Sequence, residues 1–264
     1  MADFRRLTLA ERAPGVVQVT MSRPEVFNAF DEPMIVELDA VFAQLSDDPA
    51  VRVIVLAGAG KHFSAGADLQ WMQRASVAAH DWNLEDARRF AGMLHRIDSC
   101  PKPTIARVHG AALGGGVGLA CACDIAIGAL EASFCISEAK FGILPAVIGP
   151  YLVNAVGRRQ ARRLALTATR IDGAEAQAIG LVHKVVPVGE IDAALDACIA
   201  ELLVGGPLAQ REIKQLLGQL AVGPVTAEVR ELTAQTIGRV RGTEEAREGF
   251  AAFLAKRPAN WIPR

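Results

Sequence analysis

The sequence predicts an α/β fold, a largely parallel sheet wound with helices and followed by a helical segment. Three observations carry that expectation. Apolar runs of strand length alternate with helical periodicity through residues 1–189. Two of those runs, 51–56 and 104–108, are mostly apolar rather than alternating, as in strands covered on both faces. From Glu190 onward the apolar residues recur only at helical spacing. Strand–helix alternation of this kind implies a right-handed β/α superhelix core over 1–189 with an appended helical lid over 190–264.

The elements follow in order. Residues 16–21 are rich in β-formers and make a strand that runs into Ser22-Arg23-Pro24. Pro33 opens a helix in which Met34, Ile35, Leu38, Val41, Phe42 and Leu45 share one face, and Asp47-Asp48-Pro49 ends it. After the strand at 51–56 comes a small-residue loop, Lys61-His62-Phe63-Ser64-Ala65-Gly66-Ala67-Asp68-Leu69, with Asp68 placed to cap a helix. Residues 69–83 are polar, contain Trp71 and Trp82, and have an uneven pattern that predicts a mobile loop. Trp71 suits either core packing or the wall of a pocket. Phe90, Leu94 and Ile97 then repeat at helical spacing up to Pro101-Lys102-Pro103.

A strand at 104–108 leads into Gly110 and then Gly114-Gly115-Gly116. Three glycines at a helix start cost about 1 kcal/mol each against alanine. They make sense where a backbone N–H must approach a ligand unobstructed, at a helix end rich in unpaired amides. Short strands follow at 124–128 and 133–135. Arg158, Arg159, Arg162 and Arg163 cluster on a helix, where a solvated face is the ordinary outcome. Asp172 and Glu175 form a capping-box variant ahead of Gly180. Four helices close the chain, punctuated by Gly205-Gly206-Pro207 and Gly223-Pro224.

Composition limits the partners. The 264 residues are 51% hydrophobic and 22% charged, as in a globular protein with a sizeable core. A net charge of −1 gives no global attraction to nucleic acid or to an anionic membrane. The five cysteines (100, 121, 123, 135, 198) are scattered, and Cys121-Ala122-Cys123 lacks the spacing of a zinc or redox pair. Free buried thiols, no metal and a reducing, cytoplasmic setting are expected, with no signal-peptide core at the start of the chain.

The two small-residue loops each offer one amide to a shared point, which is what an oxyanion hole requires. With both in view the chain resembles the enoyl-CoA hydratase/isomerase (crotonase) superfamily. The resemblance rests on Ser64-Ala65-Gly66-Ala67-Asp68-Leu69, on Gly110 through Asp124, on Ser133 through Pro145 and on Gly180 through Pro187. It implies a crotonase-like (ββα) superhelix with a C-terminal segment that builds trimers or dimers of trimers. It also implies an acyl-CoA thioester as substrate, no separate cofactor, and oxyanion amides at Ala67 and Gly115. The resemblance places Arg23, Ala65, Asp68, Leu69, Trp71, Gly114, Gly118, Gly142 and Lys256 around the substrate. Glu25 stands where members often carry a lysine that meets CoA.

Glu138 matches the second catalytic glutamate of the family, in an apolar setting that raises a carboxyl pKa toward neutrality. The first glutamate of two-carboxylate hydratases falls at Gly118, where no carboxylate is present. That leaves one residue to relay protons, and the vacated space is expected to accommodate water or substrate bulk. Hydration of a branched or carboxylated enoyl-CoA such as 3-methylglutaconyl-CoA is the expectation carried by the local texture around 67–72, 115–119 and 135–150. A Δ3,Δ2-enoyl-CoA isomerase and an acyl-CoA-binding protein without turnover are the alternatives.

Overall fold

The computed structural model describes residues 4–263. Six strands form the main sheet in the order β1 (Leu7–Ala13), β2 (Val16–Met21), β3 (Val53–Gly58), β4 (Thr104–Val108), β6 (Ile125–Ala129) and β9 (Lys184–Val186). Only β1 and β2 are antiparallel; every later pair is parallel. The apolar run of β3 is accordingly buried from Val53 to Ala57. A second, three-stranded sheet joins β5 (Ala111–Leu113), β7 (Ser133–Cys135) and β8 (Ile171–Asp172). The sequence pattern does not single out β1, because Glu11 and Arg12 interrupt it, nor the three-residue β5 inside the glycine loop.

Helix α1 (Glu32–Asp47) starts where its sequence says it should. Asp31 caps it by accepting from the Met34 N–H, and Pro33 sits in the first turn. All six apolar residues of its expected face are buried. The expected loop at 69–83 is instead the helix α2 (Leu69–Val77) and the start of α3 (His80–Asp98). The Asp68 carboxylate caps α2, accepting from Gln70 and Trp71 N–H. The indole N–H of Trp71 donates to buried Asp86 on α3, which pins the two helices together. Sequence periodicity is blind to that long-range bond.

Past the glycine loop run α4 (Gly115–Ala122), α5 (Gly149–Thr167), α6 (Gly173–Ala178) and α7 (Ile191–Val204). Helix α5 is broken at Gly157, whose φ of 71° lies outside the helical range. The core does not stop at residue 189: Ile191, Leu195 and Ile199 of α7 belong to it. Arg12 of β1 and Arg107 of β4 both bind Asp192, whose carboxyl is held below its usual range chiefly by the bond from Arg107. The chain ends in α8 (Pro207–Gln219), α9 (Ala227–Arg241) and α10 (Glu244–Leu254). No helix among the described residues is long and apolar enough to cross a membrane.

Candidate active site

The site forms where the loops after β3 and β4 meet. They are laced together as a short parallel ladder: Phe63 N–H donates to His109 O, Ser64 N–H to Ala111 O, and Leu113 N–H to Ser64 O. Buried Asn28 supports the first loop from beneath through its amide, which donates to Ala59 O and His62 O. The Ser64 hydroxyl donates to Asn28 O and accepts from Gly66 N–H, so the turn is tied at both ends.

Gly66 is required by its conformation and its surroundings. Its φ is +86°, and a Cβ there would lie 2.5 Å from Leu113 O and 3.4 Å from the Gly115 nitrogen. The two loop backbones are therefore in direct contact, Gly66 against Leu113 and Gly115. Phe30 donates to Gly66 O and accepts from Asp68 N–H, leaving the Ala67 N–H outside that bridge. Gly115 is the first residue of α4, so its N–H has no intrahelical acceptor. A side chain on Gly115 is excluded, because a Cβ would fall 2.3 Å from Phe30 Cζ and 3.2 Å from Phe90 Cζ.

Glu138 comes from a 3-10 turn, Glu138–Phe141, that opens just after β7, and its carboxyl lies against Gly114. A Cβ on Gly114 would sit 3.0 Å from Glu138 Oε1. The other carboxylate oxygen, Oε2, is buried and has no hydrogen-bond partner. Burial raises the carboxyl pKa, partly offset by a hydrogen bond from its own backbone N–H. An unpaired carboxylate without a nearby cation is costly as a structural feature and useful as a proton carrier.

Two unpaired amides beside a solitary raised carboxyl suit proton transfer next to a polarised carbonyl. Residues 11–264 match the family model described as enoyl-CoA hydratase/isomerase. The chain belongs to that family. Among solved structures, an enoyl-CoA hydratase from Shewanella pealeana superposes with a TM-score of 0.94 at 40% identity, covering 98% of this chain and 96% of that one. Pseudomonas aeruginosa AtuE gives 0.93 at 38% identity, with 98% and 100% coverage. The crotonyl-CoA hydratase of Syntrophomonas wolfei is 33% identical over 97% of this chain and 98% of its own. The protein is thus an enzyme of the crotonase superfamily.

Several residues expected around the substrate of this enzyme have partners within the fold. Arg23 and Asp68 face each other, Nη2 to Oδ2 at 3.1 Å, with side chains 12% and 13% exposed. Arg23 also meets Asp31 at 3.3 Å and donates to Ala29 O at 2.6 Å, so it braces the first loop from within. Burial opposes the ionisation of Asp68, but the Trp71 and Gln70 amides and Arg23 together hold its carboxyl below the usual range. Trp71 packs against Phe30 and Phe90 as the outer layer of the aromatic wall on Gly115.

Gly118 does not border open space. A Cβ there would lie 2.3 Å from Ile148 Cγ2, so buried Ile148 fills the room a first glutamate would need. The expected vacancy is corrected accordingly, since the motif shows which side chain is missing but not which residue from another element replaces it. Ala65 donates its N–H to Phe27 O, and Leu69 is 75% exposed. Gly142 ends the Glu138 turn with a φ of 72°, and Lys256 is exposed beyond α10. Phe30, Phe90 and Asn28 take their particular places against Gly115 and the first loop from tertiary contacts, which no single stretch of sequence reveals.

Proposed function

We propose that this enzyme adds water across the 2,3 double bond of an enoyl-CoA thioester, with Glu138 as the sole carboxyl acid/base. The observation that carries the reading is the Glu138 carboxyl, with Oε2 unpartnered and Oε1 against Gly114, one residue from the Gly115 amide. The thioester oxygen sits between the Ala67 and Gly115 N–H groups, which stabilise enolate charge as it develops; one such donor contributes about 2.7–4 kcal/mol. Glu138 takes a proton from water as the oxygen attacks the β carbon. The π electrons move to the enolate, and the carboxylic acid returns that proton to the α carbon.

These groups supply every proton and charge the reaction needs, so no cofactor or metal enters the scheme. The acyl group is branched or carboxylated, 3-methylglutaconyl-CoA being the type case, and the support is the local sequence texture around both loops and Glu138. The enzyme works as a homo-oligomer, a trimer or dimer of trimers, in the reducing cytoplasm where its five cysteines remain free. Following the conjugated thioester absorbance of crotonyl-CoA and 3-methylglutaconyl-CoA tests the reading. Loss of absorbance that is faster on the branched acid supports it. Double-bond migration of a 3-enoyl-CoA without any hydration would replace it with the isomerase.

A further inference from the structure

We propose that the Ser137 hydroxyl is the second group that holds the attacking water, opposite Glu138; this rests on the hydratase reading and completes it. A water molecule with a single acceptor is poorly oriented, and orientation is a large part of the barrier to be overcome. The resemblance places the first glutamate of two-carboxylate hydratases at the helix position occupied here by Gly118. In this chain that position carries no side chain, and Ile148 closes the space beside it. The second partner must then come from elsewhere.

Ser137 is in the right place. The point 3.0 Å from Glu138 Oε1, where a Cβ on Gly114 would lie, is 3.6 Å from Ser137 Oγ. Two adjacent side chains thus converge on one face of the glycine loop, next to the Gly115 amide. The backbone explains how. Ser137 precedes the 3-10 turn with φ −88° and ψ −5°, and Gly142 closes that turn in the left-handed region. A serine before a helical turn normally spends its hydroxyl on the turn's own amides. Ser137 makes no such capping bond, so its hydroxyl is free for a ligand.

The roles divide without conflict. Glu138 accepts the water proton that ends on the α carbon. Ser137 Oγ accepts from the other O–H, which stays on the β carbon as the product hydroxyl, and undergoes no net proton change itself. Serine suits this post because it adds no second negative charge beside a carboxyl that must cycle its proton.

The test compares the parent with Ser137→Ala and Ser137→Thr in two assays. The first is hydration of crotonyl-CoA and 3-methylglutaconyl-CoA. The second is exchange of the α protons of butyryl-CoA in D2O, which uses the oxyanion amides and Glu138 but adds no water. The expected result is a kcat for hydration lowered about tenfold to a hundredfold in Ser137→Ala. Exchange stays within about twofold of the parent in that variant, and Ser137→Thr recovers most of the hydration. Hydration by Ser137→Ala at the parental rate would overturn the proposal and leave the hydratase reading standing. Equal losses of hydration and exchange would also overturn it, since Ser137 would then be acting through Glu138. A parent that exchanges α protons and hydrates no enoyl-CoA would remove both.

Discussion

Glu138 is a carboxyl that folding places at a disadvantage, and two consequences can be measured. Glu138→Gln keeps the shape and cannot cycle a proton, so kcat should fall about 10²–10⁴-fold while butyryl-CoA still binds. Turnover within a few fold of the parent would remove Glu138 from the mechanism. Because burial raises its pKa, Glu138 binds its proton more tightly in the folded than in the unfolded chain. Between the unfolded and folded values the unfolded state holds fewer protons, so stability declines as pH rises through that window. Glu138→Gln should therefore melt above the parent at neutral pH, and the gap should close as pH falls below the ordinary carboxyl range. In the parent, the acidic limb of kcat/KM for hydration should lie above that range as well. Arg23 acts at the same scale through the two carboxylates it holds. Arg23→Ala leaves Asp31 with Arg6 alone and removes the guanidinium paired with Asp68. Removing one partner of a buried pair costs roughly 3–5 kcal/mol. The loss here should show as lower urea stability and a reduced kcat, since the Asp68 cap and the Ala67 amide share one loop. Arg23→Lys should restore part of both.

At the scale of elements, the site depends on two helix starts brought together by backbone ladders. Helix α4 is glycine-rich because each of its glycines meets a different neighbour: Phe30 at Gly115, Ser64 at Gly116 and Ile148 at Gly118. Gly118→Glu therefore restores no two-carboxylate site. Its Cβ would overlap Ile148 and push α4 from the segment leading into α5, an overpacking that typically costs about 1–3 kcal/mol. The expected outcome is a lower Tm and reduced hydration of branched and linear substrates alike. Gly118→Glu combined with Ile148→Ala should recover much of the Tm. A single variant as stable as the parent would mean that Ile148 yields easily. The α2–α3 pair illustrates the opposite case, polar residues ordered by a few specific bonds. Asp86→Ala removes the acceptor of the Trp71 indole and the partner of Arg89. It should loosen the aromatic wall and raise KM for acyl-CoA more than it lowers kcat.

For the whole molecule, the proposed self-association can be tested on the apolar surface of the C-terminal helices. Helices α8, α9 and α10 bury only Glu212 and Ala252, whereas Ile213, Leu217, Ile237, Phe250, Phe253 and Leu254 remain exposed. An amphipathic helix keeps its apolar stripe for a partner, and the proposed oligomer would cover these side chains. Light scattering should give a mass of several chains, and Phe253→Asp with Leu254→Asp should lower it. A parent that runs as a monomer at micromolar concentration would remove the trimer proposal. The same helices were legible in the sequence as periodic segments, with Gly205-Gly206 and Gly223-Pro224 between them. Their shortage of buried residues was not, because periodicity reports that a face is apolar and not what covers it.

The strands β2, β3, β4, β6 and β7, the capped helix α1 and the two glycine-bearing loops were readable from residue pattern alone. Each is governed by local rules: burial on both sheet faces, side-chain capping, and the backbone freedom of glycine. Glu138 and the amides of Ala67 and Gly115, whose roles are proposed here, could be named from the resemblance because its motifs are contiguous. Tertiary structure decided what is discontinuous. It turned the uneven 69–83 stretch into helices through the Trp71–Asp86 bond, and it set Arg23 as a brace between Asp31 and Asp68. It also set Ile148 against Gly118 and brought Ser137 beside Glu138. Such pairings depend on where separate segments meet in space, and a side chain's neighbours across the fold leave no periodic trace in its own stretch of sequence.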